Sequence, residues 1–162
     1  MAESAGILLY RMSSSLEVFL AHMGGPFWAR RTEGAWTIPK GECMPGEDAL
    51  ATAHREFAEE IGSAAPDVAY FKLGSFRYAS GKVVHVFAGE AALFEVDAVS
   101  SNTFELEWPP RSGRRRAFPE IDDARWVPVA EARPLLVAGQ RPMLDALAAT
   151  VREPPGEATR AE

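Results

Sequence analysis

The sequence is short of thiols and imidazoles: its 162 residues hold one cysteine, Cys43, and three histidines. A single thiol excludes an intramolecular disulfide framework and fits a reducing compartment. So few nitrogen and sulfur ligands argue against a structural zinc site. Long apolar runs are missing as well, since each breaks within a few residues, which leaves nothing to span a membrane as a helix. Met1-Ala2-Glu3-Ser4-Ala5 has no basic segment, so no signal peptide is expected and a cytoplasmic location is. Positive charge is in deficit, with 17 Lys and Arg against 23 Asp and Glu and a net charge of -6. That balance argues against stable nucleic-acid binding. What remains is a chain that is 47% hydrophobic and 25% charged, enough for one packed core.

Gly6-Ile7-Leu8-Leu9-Tyr10 and Leu16-Glu17-Val18-Phe19-Leu20 read as two strands joined by a polar turn. Gly24-Gly25-Pro26 opens a loop that carries Phe27 and Trp28. Trp36-Thr37-Ile38 is a short strand stopped by Pro39, followed by a Gly/Pro loop from Gly41 to Gly46. From Glu47 to Ile61 the apolar spacing of Leu50, Ala53, Phe57 and Ile61 predicts a helix, with Gly62 at its C-cap. Strands follow at 68–79 and 82–94 around Ser80-Gly81, then at 104–108 and 125–128. Helical stretches are expected at 129–137 and 140–152. One α/β domain with a mixed sheet is therefore expected over residues 1–152, ahead of a disordered tail at 153–162.

Within the 47–61 helix, Glu56, Glu59 and Glu60 lie at i, i+3 and i+4 and share one face. At 100° per residue they centre roughly 120° from the apolar stripe. All three sit near the C-terminal end, where the helix dipole disfavours negative charge, and like charges at i and i+4 add repulsion. A divalent cation would offset both, and hard oxygen ligands suit Mg²⁺ or Mn²⁺ rather than zinc. The plain alternative is a solvated acidic face with Arg55 paired to Glu59.

The surrounding residues decide between the two. Gly41, five residues, Glu47, seven residues and then Arg55-Glu56-Phe57-Ala58-Glu59-Glu60-Ile61-Gly62 resembles the signature of the Nudix hydrolases. A chance match of seven such positions is on the order of 10⁻⁸ per start site at average residue usage. The one departure is Ser63, where the family has an apolar residue. The resemblance takes in Trp36-Thr37-Ile38-Pro39-Lys40-Gly41 before the motif and runs through Trp126 into the C-terminal helices. It implies the Nudix fold, a mixed β-sheet sandwiched between α-helices, and hydrolysis of a diphosphate linked to another group. It further implies Glu56, Glu59 and Glu60 as metal ligands with the Gly41 carbonyl beside them, and catalytic roles for Glu59 and Glu60. Glu47, Arg55 and Gly62 would support the motif without touching substrate, and Gly41 and Gly46 would lend the loop its freedom in φ.

Outside the signature, Glu120 is the candidate for a further acid, as base or extra ligand. Its spacing of six to Trp126 resembles that in asymmetric diadenosine tetraphosphate hydrolases. The same subfamily has a tyrosine that stacks on a nucleobase, slightly further downstream of the motif than Tyr78 lies here. Lys40, Tyr78, Lys82, Arg114, Arg115 and Arg116 are the candidate substrate-binding residues, the arginines as a cradle for the far end of a polyphosphate. Each has a plain alternative: a core tyrosine, or a solvated basic loop. Trp28 and Trp36 are read as packing residues rather than a pocket mouth, Asp122 and Asp123 as lesser acid candidates, and Cys43 and His54 as bystanders. The substrate expected first is a dinucleoside polyphosphate, with Mg²⁺ or Mn²⁺ as cofactor. The alternatives are a nucleoside triphosphate, and a Nudix-fold nucleotide sensor without turnover.

Overall fold

The computed structural model describes residues 3–152; the expected tail lies outside the described residues. Nine strands run in chain order as β1 (Glu3–Met12), β2 (Leu16–Met23), β3 (Trp36–Thr37), β4 (Lys40–Glu42), β5 (Tyr70–Arg77), β6 (Val83–Glu90), β7 (Thr103–Glu107), β8 (Arg115–Pro119) and β9 (Ile121–Pro128). Helix α1 (Ala49–Ile61) follows β4, and α2 (Val129–Leu135), a 3₁₀ turn (Ala138–Gln140) and α3 (Arg141–Arg152) close the chain. Seven strands make one mixed sheet with the path β3-β2-β1-β6-β5, β4 adding to β1 and β9 to β2. Only the β1–β6 pairing in it is parallel, as the long connection through α1 and β5 allows. β7 and β8 pair as a separate hairpin.

The middle of β1, Ala5–Leu9, is an unbroken apolar run because both sheet faces are covered. Ile7 and Leu9 meet Phe57 and Ile61 of α1 on one face, while Leu8 packs with Met143, Leu144 and Leu147 of α3 on the other. Phe19 carries the α1 side onward through ring contacts with Phe57, Phe94 and Trp126. Helix α1 starts where Asp48 accepts a hydrogen bond from the Ala51 amide, and it ends where Gly62, at φ 93°, donates to the Ala58 carbonyl. Its buried residues are Thr52, Ala53, Phe57 and Ile61, so Thr52 takes the place expected for Leu50.

The sheet differs from the sequence expectation in three places. Gly41 lies in the short strand β4 rather than in a loop, because its backbone finds a ladder partner in Ala5 of β1. The Arg114–Arg116 segment is mostly strand β8 rather than loop, paired with β7 along its length. β9 begins at Ile121, four residues before the expected Arg125, because β2 pairs with it across its full run. Among the described residues no helix is long and apolar enough to cross a membrane.

Candidate active site

The site is built where β4 meets α1. Gly41 lies against the Glu56 side chain so closely that a β-carbon there would overlap the carboxylate. Close approach is what demands glycine at this position, and the expected freedom in φ applies only to Gly46, at φ 79°. Next to Gly41, the backbone N–H of Lys40 donates to Glu60 Oε1 at 3.3 Å. The carboxylates of Glu56 and Glu60 therefore meet β4 at neighbouring residues, Glu56 against Gly41 and Glu60 at the Lys40 amide.

Arg55 ties the preceding loop to this helix. Its guanidinium grips Glu47 in a two-point contact, Nε to Oε2 at 2.9 Å and Nη2 to Oε1 at 3.1 Å. Nη1 reaches Glu56 at 2.8 Å and Glu59 at 3.2 Å, and Nη2 also donates to the Glu42 carbonyl at 3.2 Å. Glu47 in turn accepts from the Met44 amide at 3.0 Å. One arginine thus spans loop and helix, and its bonds hold the Glu47 carboxyl down at about 2. The Arg55–Glu59 pairing of the plain reading is present, as one contact of several.

Glu120 is brought to the end of α1 through backbone bonds. The Ser100 and Asn102 amides donate to the Ile61 and Glu59 carbonyls at the end of α1, and the Glu120 amide donates to the Asn102 carbonyl at 2.9 Å. The Glu120 carbonyl accepts from Gly24 at 2.8 Å, and Gly24 has no room for a β-carbon beside the Pro119 carbonyl. These links satisfy helix-end carbonyls and fix the corner between β8 and β9 over the acidic face of α1.

The result is a concentration of negative charge. Burial first, and then repulsion from Glu59 and Glu120 against the pull of Arg55, raises the Glu56 carboxyl above its ordinary range. Burial, reinforced by Glu56 and Glu120 and opposed by Lys40, pushes Glu60 up to about 8. Lys40 is itself lowered, by burial first and by the nearby Lys82 charge. A cavity of about 320 Å³ opens beside these groups, lined by Lys40, Glu60, Tyr78 and Glu120 together with Thr37 and apolar neighbours. A larger cavity of about 550 Å³ lies between β1, β5 and the end of α3, but its lining is mostly apolar, with Tyr10, Glu90 and Thr150 as the residues that carry polar groups. It lacks converging polar groups, so the smaller cavity is the candidate site.

Among the described residues no three acidic, histidine or cysteine side chains are already drawn together as a metal cage. Arg55 is the reason for two of them, since it holds Glu56 and Glu59 as partners. The donor chemistry nevertheless fits a hard cation: four carboxylates that repel one another, and a glycine whose missing side chain leaves Glu56 against the backbone.

Other sequence candidates are placed as follows. Lys82 closes the β5–β6 turn, its carbonyl accepting from Tyr78 at 2.8 Å. Arg114, Arg115 and Arg116 stay outside the cavity lining: Arg115 pairs with Glu105 at 3.1 Å and Arg116 lies over Phe118. Asp122 pairs with His22 at 2.7 Å and Asp123 with Arg125, which occupies both lesser acid candidates. Trp36 is 5% exposed and packs in the core, and Trp28 packs against it. His54 stacks edge-on to Tyr70, away from the chemistry. Gln140 was not visible as a site residue; it is fully buried and reaches Tyr78 across the fold at 2.9 Å.

The described geometry has counterparts in known proteins. A model of the NUDIX domain matches residues 2–147. A Caenorhabditis elegans Ap4A hydrolase in a binary complex superposes with a TM-score of 0.64 at 20% identity, covering 92% of this chain and 98% of that one. The NUDIX domain of Shewanella oneidensis NrtR, complexed with ADP ribose, gives 0.61 at 16% identity over 91% of this chain and 86% of that one. A mutT/nudix family protein from Listeria innocua gives 0.60 at 17% identity over 93% and 94%. No curated protein sequence matches the chain. With the family model spanning nearly the whole described chain, the protein belongs to the NUDIX hydrolase family, as a pyrophosphohydrolase.

Proposed function

We propose that the chain hydrolyses a pyrophosphate bond in a nucleotide-linked substrate with the help of Mg²⁺ or Mn²⁺, and that dinucleoside polyphosphates of the diadenosine tetraphosphate kind are its first substrate class. The observation that carries this reading is that Glu56, Glu59, Glu60 and Glu120 lie within electrostatic reach of one another, and that Glu60 and Glu120 line a cavity with Lys40 and Tyr78. Free carboxylates would repel a polyanion, so the acidic face is of use to a phosphate substrate only when loaded with cations. Glu56, Glu59 and Glu60, with Glu120 and the Gly41 carbonyl, would hold the ion. Bound there, a divalent cation supplies charge neutralisation for the phosphates and lowers the pKa of water.

The chain's own residues do the remainder. Arg55, fixed by Glu47, sets the spacing of Glu56 and Glu59 along the helix face. Glu120 lines the cavity with Glu60 and would take a proton from an attacking water. Lys40 and Lys82 bring positive charge to the same side and would meet phosphate oxygens. The dinucleotide preference is supported by the Glu120 to Trp126 spacing and by the overall likeness to an Ap4A hydrolase.

Turnover of diadenosine tri-, tetra- and pentaphosphate, ATP and ADP-ribose with and without Mg²⁺ tests the reading. Metal-dependent release from a dinucleotide ahead of ATP is expected, with Glu120→Gln lowering kcat at little change in KM. ATP ahead of every dinucleotide would move the assignment to triphosphates, the second substrate class. Tight nucleotide binding with no turnover at all would make the chain a sensor.

A further inference from the structure

The tyrosine at the cavity wall is held in an unusual way for a residue meant to stack on a base. One face of its ring lies on Gly139, where a β-carbon would overlap the ring. Its hydroxyl accepts a hydrogen bond from Gln140 Nε2 at 2.9 Å. The direction of that bond follows from the rest of the amide. The Ile38 backbone N–H can only donate, and it meets Gln140 Oε1 at 2.9 Å, so the amide oxygen must lie on that side. The two amide hydrogens are then used on Thr37 Oγ1 at 2.8 Å and on Tyr78. The Thr37 hydroxyl itself donates to the Ile38 carbonyl at 2.8 Å. Every polar atom of this buried set has a partner except one: among the described residues the Tyr78 O–H proton has no acceptor, and Tyr78 lines the cavity.

We propose that Gln140 is a positioning residue that turns the Tyr78 hydroxyl into a donor aimed at the substrate, and that its acceptor is a phosphoryl oxygen rather than a nucleobase. The cations favour that partner. Lys40 lines the same cavity and feels the charge of Lys82, so the wall beside Tyr78 is where a phosphate is best met. A phosphate offers only acceptors, and a phenol already accepting from an amide offers only its proton. Burial raises the Tyr78 pKa, so the phenol keeps that proton at neutral pH. The inference deepens the pyrophosphohydrolase reading by naming which group of the substrate this wall contacts.

Two substitutions test it. Tyr78→Phe keeps the ring and removes only the donor. Gln140→Glu, assayed at pH 9 to ionise the introduced carboxylate, leaves the Ile38 amide an acceptor but draws the Tyr78 proton inward. The probe is inorganic tripolyphosphate with Mg²⁺, which has phosphoryl oxygens and no base, titrated calorimetrically. Each variant is expected to weaken its Kd about tenfold, the loss of one hydrogen bond to a charged acceptor. The double variant should be no weaker than either single one. For diadenosine tetraphosphate the KM should rise in step while kcat stays within about twofold. Unchanged tripolyphosphate affinity in Tyr78→Phe would overturn the proposal, as would additive losses in the double variant, and Tyr78→Phe alone decides it if Gln140→Glu does not fold. Absence of turnover in the unmodified protein would contradict the hydrolase reading instead, and the calorimetric result would still stand or fall by itself.

Discussion

Gly41 and Glu56 occupy one space: the carboxylate fills the volume that a side chain at position 41 would need. Gly41→Ala is therefore expected to push Glu56 off the β4 edge, weakening Mn²⁺ affinity and lowering kcat by at least about tenfold. Gly46 is the control. Nothing lies within reach of a β-carbon there, but its φ of 79° strains any other residue. Gly46→Ala should cost about 1 kcal/mol of stability and leave metal affinity alone. Calorimetric metal titration and thermal melts on both variants check the contrast.

Arg55 and Glu47 give a prediction at acid pH. The folded Glu47 carboxyl lies at about 2, below its ordinary 4.5, because Arg55 and the Met44 amide donate to the charged form. A depressed carboxylate stabilises the fold fully above the unfolded value and loses that contribution as pH falls toward the folded one. The unmodified protein should thus lose stability between about pH 4.5 and 2, and Glu47→Gln should lose less across that window. Urea midpoints at pH 3 and pH 6 measure it. Arg55→Lys should resemble Glu47→Gln, since an ammonium cannot reproduce the two-point grip.

Glu60 behaves in the opposite sense. Its carboxyl is raised to about 8 in the metal-free protein, so its protonated form favours the fold below pH 4.5. That contribution is lost as pH rises through about 8. Melting temperature without metal should fall across this range, less so in Glu60→Gln. Cation binding at pH 7 must also expel a proton, because ligands bind deprotonated. Mg²⁺ titrations in buffers of differing ionisation enthalpy should show that release, and Glu60→Gln should abolish it; the same release in both proteins would mean that the proton does not come from Glu60.

Arg114, Arg115 and Arg116 are not among the residues lining the cavity, so any help they give the substrate would be electrostatic. Neutralising Arg114, Arg115 and Arg116 together should raise KM more for diadenosine pentaphosphate than for ATP at low salt. The difference should vanish at high salt, and kcat should hardly move. Equal KM changes for all substrates would make the segment a solvated hairpin.

How much of this was readable from the chain depends on the range of each interaction. Helix α1, its cap at Gly62 and the shared face of Glu56, Glu59 and Glu60 follow from spacings within a few residues, and the structure has them where the periodicity puts them. Strand β8 was missed because most of its residues are exposed on both sides, which erases the alternation that betrays a strand. β4 was hidden for a related reason: three residues long and centred on glycine, it exists only because β1 offers a partner. The reason for Gly41 itself was misread, since crowding by a side chain fifteen positions on leaves no local mark. Gln140 gave no signal either. Its partners Thr37, Ile38 and Tyr78 lie far away in sequence, at the end of β3 and just beyond β3 and β5, and a lone glutamine before a helix looks like any surface residue.

The most direct test of the account is kcat for diadenosine tetraphosphate with Mg²⁺ in the unmodified protein and in Glu59→Gln. Loss of one ligand carboxylate should lower kcat by at least about 10²-fold, several kcal/mol of lost charge stabilisation. The variant should melt close to the unmodified protein, because relief of the repulsion with Glu56 offsets the weakened Arg55 contact. Full activity in Glu59→Gln, or robust turnover in EDTA, would contradict the assignment of this acidic face as the metal-loaded centre of the enzyme.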